Sequence, residues 1–376
     1  MWGRVFNLVV KELQQFRRDR AAKFRLLIPT LVQLFIFGYA ATFEVYHVAT
    51  VVLDLDHSQE SRELISHFAG SGRFQIVEMA QNHAEIRQAI DRADAVVAIV
   101  IDAGFSENLR KGLSAPAQVV VDGTNSNTAL IALGYVGQIV AAYADDMGQD
   151  LKRRQHAAAP APPTVTLEQR PWYNVDFNSR WFFVPGVIAT LTLIMIVNLT
   201  SFAVVREREV GTLEQIMVTP VRPLEFILGK SIPYFLIGLA LTIVIAGVGT
   251  LWFQIPFRGN PFVLLIGTSF YLLCVLGIGL LISTVCRTQQ QAFATNFFVI
   301  NPAFILSGFS FPLASMPVFM QWLSNINPMT YYLVVIRGTF LKGVGLNVLW
   351  PQMLALATLG VLLLGHSVLR FQKSLD

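Results

Sequence analysis

The sequence predicts an α-helical polytopic membrane protein with six transmembrane helices, both termini cytoplasmic, and an inserted external (periplasmic) α/β domain. Three observations predict it. Of the 376 residues, 54% are hydrophobic and 14% charged, against about 25% charged in a typical soluble domain. Apolar runs recur at close to the roughly 20 residues that cross a bilayer core about 30 Å thick. Between the first two runs lies a long stretch with strand and helix patterns in alternation.

The six expected spans are Phe24 to Phe43, Trp181 to Val205, Ile232 to Phe253, Phe262 to Ile282, Phe293 to Phe311 and Leu346 to Leu369. Lys and Arg in short loops mark the cytoplasmic side. Arg4, Lys11, Arg17, Arg18, Arg20, Lys23 and Arg25 precede the first span; Arg206, Arg208, Arg222 and Lys230 follow the second; Arg287 follows the fourth; Arg370 and Lys373 follow the sixth. All fall on one side, whereas Arg258, Arg337 and Lys342 are the basic residues of the short loops opposite. Residues 1–22 place Val5, Val9, Leu13 and Phe16 at helical spacing, a pattern for an interfacial helix on the cytoplasmic leaflet. The first span, residues 23–43, lacks a small-residue cleavage site and reads as an uncleaved anchor.

Residues 44–180 form the external domain. "VATVVLDLD", "RFQIVEM", "AVVAIVI" and "AQVVVDG" are strand patterns, separated by helical ones such as "SQESRELISHFAG" and "NHAEIRQAIDRAD". Such alternation predicts a sheet that is at least partly parallel. A longer helical pattern runs from Asn127 to about Arg154, and the Pro/Ala segment Ala157 to Thr164 leads back to the membrane. Cys274 and Cys286 are the two cysteines, and about 18 Å of helix between them exceeds the roughly 7 Å a disulfide allows.

Chemistry in the external domain has one candidate. "VVLDLDHSQ" resembles the strand-end Asp-x-Asp of haloacid-dehalogenase phosphohydrolases, with Asp54 as nucleophile and Asp56 as acid; the alternative is that Asp54, Asp56 and Ser58 end a strand and cap the next helix. His47, His57, His67, His83 and His156 lack metal-ligand spacing, so no metal site is expected. Gly229-Lys230-Ser231 looks like the tail of a phosphate-binding loop, but Leu224 stands where its first glycine belongs. No nucleotide site is therefore expected on this chain.

From Phe226 to Leu375 there is no Asp or Glu. Ion-coupled carriers place ionisable groups within the membrane, so a translocator of this composition must be driven by a partner. The segment 206–230 between the second and third spans offers the contact. Arg206, Glu207, Arg208 and Glu209 end an apolar run, and "TLEQIMVTP" is a short helical pattern with Thr212 as cap and Pro220 as stop.

"VVREREVGTLEQIMVTPVRPLEFILGK" resembles the signature loop of the type 2 permeases of ATP-binding cassette (ABC) transporters, in which Glu-x-Glu, Gly-Thr-x-Glu and Thr-Pro precede a further Glu and Gly-Lys. "RDRAAKFRLLIPTLVQLFIFGYA", "RPWYNVDFNSRWFFVPGVIA" and "SGFSFPLASMPVFMQWLSNINPMTYYLVVIRGTFLKG" resemble that family's approaches to the first and second spans and its external re-entrant segment, here residues 310–345. Val175 departs from the proline that often follows Trp-Tyr-Asn in the family. The resemblance covers nearly the whole chain, with residues 181–376 holding spans two to six. It implies a multidrug-type exporter of the bacterial inner membrane: two permease chains, identical or paralogous, with two ABC ATPase subunits that carry the ATP and Mg, so that this chain binds no cofactor and catalyses nothing. A periplasmic adaptor, an outer-membrane channel and membrane lipid are further partners it implies; nucleic acid is not among them.

Residue by residue, the resemblance assigns Glu207, Glu209, Gly211, Thr212, Glu214, Thr219 and Pro220 to contact with the ATPase. Spans two and five line the permease dimer in this family. Asn198, Thr200 and Ser201, with Asn296, Asn301 and Ser307, are then candidates for a substrate path suited to an amphiphilic or apolar cargo, or else for helix–helix packing. Pro312, Pro317 and Pro328 break the segment after the fifth span and are candidates for an external gate.

Overall fold

The structure is a computed structural model that describes residues 2–40, 47–124, 126–154, 178–211 and 222–373. The chain divides into two compact units, Met1–Ala41 with Arg170–Asp376, and Thr42–Gln169. The first opens with α1 (Trp2–Arg18) and α2 (Arg20–Ala40).

The 42–169 unit contains β1 (Val48–Asp54), α3 (Gln59–Gly70), β2 (Phe74–Ala80), α4 (His83–Asp91), β3 (Val97–Ile101), α5 (Phe105–Arg110), β4 (Ala117–Val121) and α6 (Ser126–Arg154). Strand order is β2-β1-β3-β4, with β1 parallel to β2 and β3, and β4 antiparallel to β3. Alternate residues of a strand face opposite ways, and β1 and β3 use both faces. Val52, Val97, Ile99 and Ile101 join Leu64, Phe68, Phe105, Ala132 and Val136 in one core, while Val51, Leu53, Ala98 and Val100 join Ile86 and Ala89 in another. Helices α3, α5 and α6 thus cover one side and α4 the other.

Asp54 and Asp56 organise the sheet's carboxyl end. Asp54 Oδ1 accepts the amides of Asp56 (3.1 Å) and His57 (3.0 Å), and its Oδ2 accepts the Ser61 hydroxyl at 2.7 Å. Asp56 accepts the amides of Gly104 (2.8 Å) and Ser106 (3.1 Å), fixing the start of α5 from across the sheet. Burial alone would raise the Asp56 pKa, but the hydrogen bonds from Ser58, Ser106 and Gly104 hold it below the ordinary carboxylate value. The Arg110 hydrogen bond does the same for Glu60.

The other unit continues with α7 (Ser179–Val210), α8 (Pro223–Leu251), α9 (Pro261–Val285), α10 (Gln289–Ile305), a 3₁₀ turn (Leu313–Ser315), α11 (Val318–Ser324), α12 (Pro328–Arg337), a π-helical turn (Gly338–Lys342) and α13 (Leu346–Lys373). Helices α7 and α9 are the inner ones, with most side chains buried. Polar groups pair across helices: Tyr271 and Tyr332 stack with centroids 4.1 Å apart, Tyr332 meets Thr268 at 2.9 Å, and Thr192 meets Thr242 at 3.1 Å.

Among the described residues, five helices are long and apolar enough to cross a membrane: α7, α8, α9, α13 and the Thr128–Gly148 part of α6. The last lays Ala129, Ala132, Val136 and Tyr143 into the core of its own unit. Three expected boundaries need correction. The fifth span was expected to reach Phe311, but α10 stops at Ile305, and Gly308, with φ of +82°, takes the left-handed conformation that turns the chain. The helix of the third expected span begins well before Ile232, because Arg222 and Pro223 start α8 with Pro in the first turn, where its missing N–H costs nothing. Segment 206–230 is therefore helix at both ends, with α7 running to Val210. In α2 the apolar part is the short stretch Leu26–Tyr39.

Because the folded-state pKa of Asp56 is depressed, its stabilisation is present above the unfolded value near pH 4 and is lost as pH falls through the folded one. Asp56→Ala should cost about 1–2 kcal/mol, the range for a lost helix cap. Hydrogen exchange of the full-length protein should show faster exchange at residues 104–110 in this variant and, at low pH, in the wild type.

Candidate functional site

The last turns of α7 carry Arg206, Glu207, Arg208 and Glu209. Consecutive residues on a helix point about 100° apart, so the side chains fan out towards different neighbours. Glu207 accepts a short contact from Lys230 Nζ on α8. Arg208 Nη1 donates to the carbonyls of Cys286 (3.1 Å) and Thr284 (3.4 Å), capping the end of α9. Glu209 Oε2 accepts from Gln289 Nε2 at 2.8 Å, holding the start of α10. Gly211 ends the helix with φ of +80° and its amide on the Arg208 carbonyl.

Lys230 is the centre of this arrangement. Its side chain is 7% exposed, and Nζ also donates to Glu12 Oε1 on α1 at 2.6 Å. One turn on, Tyr234 donates to Glu12 Oε2 at 3.2 Å. One ammonium therefore joins α1, α7 and α8. Gly229 makes the close approach of α1 feasible, since a Cβ there would lie 2.7 Å from Leu8 Cβ. Arg4 of α1 lies 3.5 Å from Glu225, which accepts the Arg222 amide at 3.0 Å. The Gly-Lys pair seats α1.

A cavity of about 330 Å³ opens beside the cluster, lined by Glu12, Asp19, Arg206 and Gln289 at one end and by Met195, Asn198, Leu199 and Phe202 further along α7. A second, of about 170 Å³, lies between α2, α7 and α10, lined by Gln33, Phe37, Thr190, Asn301 and Phe309 among others.

A profile described as "ABC-2 family transporter protein" matches residues 25–369. The chain belongs to this family. It is 35% identical over 364 residues to the Escherichia coli K12 protein named "Probable multidrug ABC transporter permease YbhR", covering 96% of this chain and 97% of that one. It is 30% identical over 384 residues to "Probable multidrug ABC transporter permease YbhS" of the same organism, covering 100% and 98%. "Inner membrane transport permease YhhJ", also from that strain, is 28% identical over 388 residues, covering 99% and 97%. The chain is a transmembrane ABC transporter permease of this family.

Of the coupling residues that the sequence assigned in this permease, Glu207, Glu209 and Gly211 stand at the end of α7 as described, and Thr212, Glu214, Thr219 and Pro220 lie outside the described residues. The path candidates divide by environment. Asn296 Nδ2 donates to Asn198 Oδ1 and to Ser201 Oγ, both at 2.8 Å, stapling α10 to α7. Thr200 is buried against α9 at Gly279. Asn301 is exposed and lines the smaller cavity, and Asn198 lines the larger. Ser307 bonds the Phe304 carbonyl (2.6 Å) and the Phe309 amide (3.1 Å) in the turn after α10. Pro312, Pro317 and Pro328 each start a short element: the 3₁₀ turn, α11 and α12. Asn327 Nδ2 ties the last of these to the Ala303 carbonyl at 2.6 Å. Asp54 and Asp56, the phosphohydrolase candidates, spend their oxygens on the amides and hydroxyl described above.

Sequence reasoning missed Glu12 and Tyr234. A signal existed: Glu12 is a carboxylate on the same helical face as Val5, Val9 and Phe16, where only apolar groups belong unless a cation waits opposite. Removing one member of a buried ion pair strands the other, at about 3–5 kcal/mol. Lys230→Met should therefore lower the melting temperature in detergent sharply. Adding Glu12→Gln and Glu207→Gln should recover much of the loss, since no carboxylate is then left unpaired.

Proposed function

We propose that the chain is the membrane permease subunit of an ATP-driven exporter. In this reading a separate ABC ATPase hydrolyses ATP, the 206–230 segment receives its movement, and an amphiphilic or hydrophobic compound, drug-like or lipid-like, moves outward across the bacterial inner membrane. The observation that carries it is the end of α7, where three successive side chains engage α8 with α1, α9 and α10. A push on the segment after Gly211 reaches most of the bundle through these contacts.

The energy argument agrees. From Phe226 to Leu375 the chain has no carboxylate, which leaves that stretch without the acidic proton or cation relay common in coupled carriers. The proposed topology has six spans, α2, α7, α8, α9, α10 and α13, with both termini cytoplasmic and the 42–169 unit periplasmic. The two cavities along α7 lie on the cargo's route, with Asn198 beside the cytoplasmic one and Asn301 beside the external one. A second permease chain, the same or a paralogue, completes the pathway, and the periplasmic unit is a docking surface for an adaptor leading to an outer-membrane channel. The relatives' names, which include multidrug and inner-membrane permeases, support class and location.

Affinity purification of the full-length protein in mild detergent, followed by mass spectrometry, tests this reading. An ABC-type ATPase should accompany the wild type and be lost with Glu214→Lys, while the variant stays folded. A stable, monodisperse preparation that brings no ATPase, in detergent and in nanodiscs alike, would contradict it.

A further inference from the structure

Arg337 closes α12 at the end of the bundle where α7 begins. Its guanidinium carbon sits 3.9 Å from the Phe182 ring centroid and 5.9 Å from that of Phe309. Its Nε and Nη2 are shut off from solvent and have no hydrogen-bond partner among the described residues. These two nitrogens form one edge of the guanidinium, the pair of parallel donors that grips a carboxylate or phosphate side-on. Aromatic stacking satisfies the face of the cation and leaves that edge without a hydrogen-bond partner among the described residues. A buried donor without a partner is costly, and more so when charged.

The described residues of this unit offer little to neutralise it. No Asp or Glu occurs from Phe226 to Leu375. Glu207 and Glu209 lie at the far end of α7, about 37 Å of helix from Phe182, and Glu12 is bound to Lys230 beside them. Phe309, whose ring centroid lies 5.9 Å from the Arg337 guanidinium carbon, packs so closely on α7 that a Cβ on Gly186 would come within 2.1 Å of its ring. It also lines the 170 Å³ cavity, whose walls are mostly apolar and which holds a second buried polar atom without a partner, Gln33 Oε1.

We propose that Arg337 and this cavity form a binding site for an amphiphile with an anionic head group: the Nε/Nη2 edge takes a phosphate or carboxylate, the cavity takes apolar tail, and Phe309 is the partition that turns aside. The inference deepens the proposed function by naming a cargo class, and rests on that reading for the direction of movement. A bilayer phospholipid and a single-chain cargo share the required chemistry.

Native mass spectrometry of the full-length protein in a neutral maltoside detergent tests it, with dodecyl phosphate, dodecyltrimethylammonium, phosphatidylglycerol and inorganic phosphate as probes. The wild type should retain dodecyl phosphate over dodecyltrimethylammonium by roughly tenfold, the scale of one charged hydrogen-bonded contact. Arg337→Gln should bring the ratio close to one, and Arg337→Lys should leave a reduced preference, because a lysine lacks the paired donors. Phe309→Ala keeps the guanidinium and should raise dodecyl phosphate retention, which preserves the test if the Gln variant does not fold. Phosphatidylglycerol bound with the same dependence on Arg337 identifies the source as bilayer lipid; preference for the single chain identifies cargo.

A ratio unchanged in Arg337→Gln, or retention unchanged in Phe309→Ala, would overturn the site. So would displacement by equimolar inorganic phosphate, which needs no tail. Asp176 precedes Phe182 in the sequence; if Asp176→Asn abolished the preference as Arg337→Gln does, the anion would belong to the chain and the proposal would fall. The measurement needs no ATPase. Absence of an ATPase from purified wild type, beside an intact Arg337-dependent preference, would remove the ATP-driven export reading and leave the site standing.

Discussion

A single ammonium group, buried where three helices meet, is the constraint on which the rest of the transmembrane unit depends. Lys230 is buried with a carboxylate on each side, Glu12 on one and Glu207 on the other. The pairing is demanding in geometry, because desolvating three charges is repaid only when each finds its partner. The helices that carry them are thereby held in one register: α1 across α8, and the end of α7 against both. Gly229 and Tyr234 flank Lys230 on α8 and serve the same contact, one by making room and the other by a hydrogen bond. Trp2 and Phe6 of α1 stay exposed, away from this contact.

The consequence for function is mechanical. The remaining charges of the α7 terminus reach α9 and α10, and α10 is in turn stapled to α7 through Asn296. A displacement of the segment after Gly211 would act on a framework of packed helices. Polar residues along α7 and α10 then have two kinds of work. Those buried between helices hold the frame, and those beside cavities, Asn198 and Asn301, are placed to meet a passing molecule under the proposed function.

Much of this organisation was legible in the sequence because its causes are local. The alternation of strand and helix patterns before Asn127 yields the three parallel strands, and the all-apolar "VAIVI" of β3 reads as a strand covered on both faces. The long apolar runs of α7, α8, α9 and α13 announce themselves by length. What escaped depends on distant partners or on single residues. The early end of α10 follows from Gly308 and the Ser307 turn, which an apolar window running on to Phe311 conceals. Lys230 reads in the sequence as one more basic residue after the second span, because its partner Glu12 lies 218 residues away. Asn198 and Asn296 could not be sorted between path and packing until their mutual hydrogen bond was seen.

The central claim is that Lys230 makes α1, α8 and the end of α7 one mechanical block. Hydrogen–deuterium exchange of the full-length protein, wild type against Lys230→Met, measures this most directly. The account predicts that exchange rises together in residues 2–18, 206–210 and 223–234. A rise confined to α8 around residue 230, with α1 and the end of α7 unchanged, would contradict it.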